Sequence, residues 1–181
     1  MILTYFEIHL VEHCNLKCQS CDNFSPLAKP EFITVKSFDA QMKQMASLAN
    51  NQITKIRLLG GEPLLHPRLN SLLTKARTHF PNAQLLLTTN AILLNDMPKD
   101  FWTTCHDNNI TIEVTYYPIK IDRAGYTKLS KEYDVKIIPF DGKETNTKVS
   151  HRNPINDKKD QPITNYNRCY QKRRHSSWRL F

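Results

Sequence analysis

Short apolar and β-branched runs recur along the chain at residues 3–11, 53–59, 84–89, 110–116 and 135–140. Each is strand-sized, and a helix-length segment separates most of them from the next. The predicted helices are 37–50, with Ser37 placed to cap its N-terminus, 68–80, 98–108, and 122–133, with Asp122 as its cap. Strands alternating with helices predict an α/β fold on a parallel sheet with right-handed crossovers. Five βα steps of this kind make an open sheet or an arc of a barrel.

The strands alternate in character. One parity is apolar: Phe6, Ile8 and Leu10, then Ile56 and Leu58, Leu85 and Leu87, Ile112 and Val114, and Val135 and Ile137. The other holds Glu7, His9, Lys55, Arg57, Gln84, Thr88, Glu113, Thr115 and Lys136. A parallel strand covered on both faces should be apolar on both. The second set therefore either lines a wet concavity, where a polar substrate would sit, or meets solvent. The periodicity stops after Phe140. Residues 1–142 are expected to form the domain and 143–181 an irregular extension, with no clear helix or strand.

Composition sharpens this picture only locally. With 181 residues, 40% of them hydrophobic and 23% charged, the chain fits one globular domain. The N-terminus lacks a basic stretch before its apolar run, and no run approaches a membrane span, so a soluble cytoplasmic protein is expected. The net charge of +8 is uneven, because residues 1–142 carry 15 basic and 14 acidic side chains whereas residues 161–181 carry five basic and none acidic. Arg168, Lys172, Arg173, Arg174 and Arg179 stand among Tyr166, Tyr170 and Trp178. Such a tail is either a solvated terminus or a surface for nucleic acid.

Three of the five cysteines, Cys14, Cys18 and Cys21, share one loop, H-C-N-L-K-C-Q-S-C-D, directly after the first strand. Crowding of this kind suits metal binding in a reducing compartment better than disulfides, and leaves Cys105 and Cys169 without a role. Three thiolates can hold three corners of an iron–sulfur cube and leave one iron open. Zinc is the rival occupant, although a structural zinc site wants four ligands and His13 is awkwardly placed to be the fourth. A second signal is R-L-L-G-G-E-P-L-L-H-P, residues 57–67, where a strand runs into paired glycines. Gly60 and Gly61 can expose backbone groups to a bound polar molecule, or simply make a strand-to-helix turn.

Together, C-N-L-K-C-Q-S-C after the first strand and G-G-E-P after the second resemble the radical S-adenosylmethionine superfamily. The resemblance implies a partial (β/α) barrel, with Cys14, Cys18 and Cys21 binding a [4Fe–4S] cluster whose open iron is chelated by the methionyl group of S-adenosylmethionine. It places Gly60, Gly61, Glu62 and Pro63 against that cofactor, chiefly through backbone atoms. Thr89 and Asn90, in L-T-T-N-A where the third strand ends, and Thr115 at the end of the fourth are further cofactor candidates. His9, Arg57 and Glu113 are candidates to face the substrate, with an Arg57–Glu113 salt bridge as the alternative.

The implied activity is reductive cleavage of S-adenosylmethionine to a 5′-deoxyadenosyl radical that abstracts hydrogen from an unidentified small-molecule, peptide or protein substrate, the electron coming from a donor such as flavodoxin or ferredoxin. A narrower reading of the same kind is an activase for a glycyl-radical enzyme, and a reading of a different class is a non-catalytic, truncated iron–sulfur module. The chain departs from the pattern at Ser20, where many members carry an aromatic, and in showing five strands where the resembling fold has six.

Overall fold

The computed structural model describes residues 3–18, 21, 23–49, 52–117 and 119–140. The extension from 143, the domain boundary at 142, Ser20 and Cys169 lie outside these described residues. Among the described residues five strands alternate with four α-helices: β1 (Tyr5–Val11), α1 (Val35–Leu48), β2 (Lys55–Gly60), α2 (Leu69–His79), β3 (Gln84–Thr89), α3 (Lys99–Asp107), β4 (Ile110–Val114), α4 (Arg123–Glu132) and β5 (Ile137–Pro139). All the pairings are parallel, and the strands stand in sequence order across one sheet. An unreversed order of βα units is the topology of a partial (β/α) barrel, as the alternation predicts.

The apolar parity forms the core. Ile8, Leu58, Leu87, Ile112 and Ile137 align across all five strands. Helices cover that face with Phe38 and Met42 of α1, Leu72, Leu73 and Ala76 of α2, Phe101 and Trp102 of α3, and Tyr126 of α4, all buried. A large apolar side chain buried this way contributes about 1.5–3 kcal/mol. Cys105 is packed in the same layer on α3, and burial pushes its thiol up to about 12. That is the environment of an inert structural cysteine.

One of the two expected helix caps changes. Ser37 is not the cap of α1. Thr34 is, with extended backbone and its hydroxyl accepting the Ser37 N–H at 3.1 Å, so the helix begins two residues before Ser37. Ser37 instead occupies the third helical position, whose N–H the cap satisfies. Asp122 does cap α4, accepting from the Gly125 N–H at 3.1 Å. Two 3-10 turns, Pro63–Leu65 and Leu94–Asp96, follow β2 and β3 and carry no periodicity long enough to be seen in the sequence. Among the described residues no helix is long and apolar enough to cross a membrane.

Candidate functional site

The site grows from the C-terminal end of β1. The strand register shifts between His9 and Val11, and Val11 then pairs with Gly60. Past that point the two chains stay together: the Gly61 N–H donates to Val11 O at 2.7 Å and the Glu62 N–H to His13 O at 3.0 Å. Glycine is required here. Gly60 has φ +142°, and a Cβ on it would lie 2.2 Å from Val11 O; a Cβ on Gly61 would lie 2.0 Å from His13 O. The paired glycines thus let the turn after β2 lie backbone to backbone against the segment leading into Cys14. The Gly60 carbonyl accepts from Asn23 Nδ2 at 2.7 Å, which ties down the far side of the cysteine loop.

Glu62 turns its carboxylate inward. It is 1% exposed, and it accepts the Leu64 N–H at 3.0 Å, the Thr89 hydroxyl at 2.7 Å and the Asn90 N–H at 2.9 Å. Burial pushes its carboxyl up to about 7, against the pull of those three hydrogen bonds. The side chain caps the 3-10 turn begun by Pro63 and clamps the end of β3 to it. Thr89 is occupied with this clasp, its oxygen also accepting the Ala91 N–H at 3.0 Å. Thr115 is half-buried and its N–H donates to Thr89 O at 2.9 Å, so the ends of β3 and β4 stand side by side.

Asn90 links this clasp to the cysteines. Its Nδ2 lies 2.8 Å from Asn15 Oδ1 and 3.6 Å from Cys14 Sγ. The same sulfur accepts the Leu16 N–H at 3.3 Å. Burial pushes the Cys14 thiol up to about 12, the Leu16 N–H pulls it down, and Glu62, Cys18 and Cys21 add to the rise. Tyr117, which the sequence reading passes over, lies in the same neighbourhood: burial raises its phenol, and all three cysteines and Glu62 raise it further. Its only sequence signal is its position two residues beyond Thr115, on the loop leaving β4.

On the other flank, Phe32 stacks edge-on to both His13 and His66, at centroid distances of 5.1 and 5.5 Å. His66 accepts the Arg68 N–H at Nδ1, so its Nε2 carries the proton given to Ile33 O at 2.9 Å, and burial lowers its basicity.

The substrate-facing candidates divide. Arg57 and Glu113 meet as a buried ion pair, Nε to Oε2 at 2.7 Å and Nη2 to Oε1 at 2.9 Å. Glu7 joins at 3.0 Å, Thr88 donates to Glu113 Oε2 at 2.8 Å, and the Phe140 ring lies 4.6 Å from the guanidinium. The polar parity is therefore partly a closed network, with Leu86 and Thr111 buried beside Arg57 in register. His9 stands apart, half-exposed, with Nδ1 3.5 Å from Glu12 Oε2.

The donor set suits an iron–sulfur cluster. Three thiols come from one short loop, and His13 Nδ1 and Ser25 Oγ, in residues that pack on Gly61, are buried with no hydrogen-bond partner among the described residues. Among the described residues no three His, Cys, Asp or Glu side chains gather closely enough to hold one metal ion. Cluster thiolates need not do so, since each holds a different iron.

Residues 6–136 match the family described as a 4Fe-4S single cluster domain. The chain belongs to this family. It is 29% identical over 99 residues to the GTP 3′,8-cyclase of Helicobacter pylori, covering 55% of this chain and 31% of that one. The GTP 3′,8-cyclase of Sulfurovum sp. is 34% identical over 90 residues, 50% of this chain and 28% of that one. The chain thus spans about a third of the length of these curated relatives.

Among solved structures, BtrN in complex with AdoMet and 2-DOIA superposes with a TM-score of 0.62 at 20% identity, over 77% of this chain and 57% of that one. Native anSMEcpe with bound AdoMet gives 0.57 at 21% identity, over 75% and 43%. The fold is the partial barrel of the radical S-adenosylmethionine superfamily, to which the motifs assign the chain. The implied cofactor pair accords with the cluster of the family description and with the AdoMet held by both structural neighbours.

Proposed function

We propose that this family member is a radical S-adenosylmethionine enzyme in which Cys14, Cys18 and Cys21 hold the [4Fe–4S] cluster. The observation that carries the reading is the direct attachment of the G-G-E-P turn to the entry of the cysteine loop, through Gly61 N to Val11 O and Glu62 N to His13 O. When bound, the cluster and S-adenosylmethionine supply a 5′-deoxyadenosyl radical able to take a hydrogen atom from a substrate.

The chain's own contribution is placement. Gly60 to Pro63 give a backbone edge beside the cysteines, Asn90 reaches Cys14, and Thr115 and Tyr117 close the side toward β4. The Arg57–Glu113 pair is buried against the second face of the sheet, which leaves His9 as the accessible member of the three substrate-facing candidates. Electrons would come from a one-electron donor of flavodoxin or ferredoxin type in the reducing cytoplasm. The substrate class stays open between small molecule and peptide; anSMEcpe holds a peptide, and BtrN holds 2-DOIA. The activase reading is a narrower form of the same chemistry that no described residue favours.

The test is anaerobic reconstitution of the full chain, addition of S-adenosylmethionine and dithionite, and chromatography for 5′-deoxyadenosine. Product in the native chain and its loss in Cys14→Ala, Cys18→Ala and Cys21→Ala variants are expected. A chain that binds the cluster yet yields no 5′-deoxyadenosine would be the non-catalytic module instead.

A further inference from the structure

Asn90 bridges Glu62 of the second motif and the cysteine loop. Asn90 closes β3 and is 5% exposed. Its Oδ1 accepts the Ile92 N–H at 3.0 Å, and since an N–H needs an acceptor this fixes which end of the amide is oxygen. Nδ2 must then face the other way, toward Asn15 Oδ1 at 2.8 Å and Cys14 Sγ at 3.6 Å. The backbone of the same residue is held by Glu62 Oε2 at 2.9 Å, and the next residue, Ala91, turns the chain with φ 65°. The amide is therefore locked from behind by Ile92 and Glu62, with its two N–H bonds divided between an amide oxygen and a ligand sulfur.

Hydrogen bonds to cluster sulfurs are among the factors that set an iron–sulfur potential. A donor aimed at an anionic thiolate favours the reduced cluster, which carries one more negative charge. We propose that Asn90 is a positioning residue that donates a hydrogen bond to the Cys14 thiolate and raises the reduction potential of the cluster, with Glu62 holding the amide in place. The inference rests on the cluster assignment made above.

The experiment compares the full native chain with Asn90→Ala and Asn15→Ala after anaerobic reconstitution, reading iron and sulfide content and then the midpoint potential by EPR-monitored titration without S-adenosylmethionine. Asn90→Ala is expected to shift the reduction equilibrium about tenfold toward the oxidised form, which is about 59 mV for a one-electron couple. Asn15 is exposed, and its removal frees the amide from the competing oxygen, so that variant should shift the other way. Equal midpoints in the native and Asn90→Ala chains overturn the proposal. If Asn90→Ala folds but takes up no cluster, Asn15→Ala decides: a higher midpoint supports the hydrogen bond, and an unchanged or lower one overturns it. A native chain that takes up no cluster removes the functional reading and this one together; a clustered native chain with unmoved midpoints removes this one alone.

Discussion

Arg57 lies across the sheet with its guanidinium gripping the Glu113 carboxylate at two points, 2.7 and 2.9 Å, both side chains being less than a tenth exposed. Glu7 of β1, Arg57 of β2 and Glu113 of β4 are thereby joined across β3 on the face away from the helices.

Removing one partner of such a pair strands the other as an uncompensated buried charge, at a cost of about 3–5 kcal/mol, whereas replacing both with apolar groups is often neutral. Arg57→Met is expected to lose that much in urea unfolding, and Arg57→Met with Glu113→Leu to recover most of it. Single variants as stable as the native chain would show that the pair is not buried, and would return both residues to the list of substrate-facing groups.

Glu62 predicts a pH dependence with a definite sign. Its carboxyl titrates near 7 in the folded chain against 4.5 when exposed, so between these values the folded state binds more protons than the unfolded one. Stability from this group is full below about 4.5 and falls as pH rises to about 7, a total of about 3 kcal/mol. Glu62→Gln should abolish that slope. It should also cost about 1–3 kcal/mol at low pH, because the Gln amide nitrogen would face a donor. Urea midpoints of both chains across pH 4.5–8 are the measurement; parallel curves would mean that the carboxyl titrates normally.

Arg77 holds the opposite end of the strands. Its guanidinium donates to the carbonyls of Asn108 at 2.8 Å, Asn109 at 3.1 Å, Phe80 at 3.1 Å, Pro81 at 2.9 Å and Ala83 at 2.8 Å. It joins the end of α2 to the turn between α3 and β4, in a fork geometry that an ammonium group cannot reproduce. Arg77→Lys is expected to cost about 2–3 kcal/mol in thermal or urea unfolding. Iron uptake at the far end of the sheet should be unchanged, so a loss of iron without a loss of stability would contradict this placement.

Strand parity made the sheet legible, because residues such as Ile56, Leu58, Leu85 and Leu87 have to share a face whatever the rest of the chain does. Helix starts were less so. Thr34 caps α1 where the spacing pointed to Ser37, and the choice is made by which residue takes extended backbone, a matter of how the chain leaves the cysteine loop. The site was legible as motifs and not as contacts. Glu62 reads as part of a ligand-binding turn, yet its carboxylate is spent inside the fold. The local signal was Pro63 directly after it, a residue suited to the first helical position and so pointing to a cap before it. Tyr117 had no such signal, since nothing in the spacing from Thr115 says that the loop after β4 folds back toward the cysteines.

Gly61 sits where the two motifs touch. A Cβ there would lie 2.0 Å from the oxygen and 2.3 Å from the carbon of the His13 carbonyl, and 2.9 Å from Ser25 Oγ. The first two belong to backbone and cannot rotate aside, so Gly61→Ala must push the turn off the segment that leads into Cys14. The bonds from Gly61 N to Val11 O and from Glu62 N to His13 O would stretch or break together, and Asn90, clamped by Glu62, would move relative to the cysteines. Iron per chain after reconstitution should fall to a small fraction of the native value while far-ultraviolet circular dichroism stays close to native, because the α2, α3 and β4 core makes no use of this contact. A Gly61→Ala chain that takes up its full iron would show that cluster binding does not depend on the turn lying against the loop.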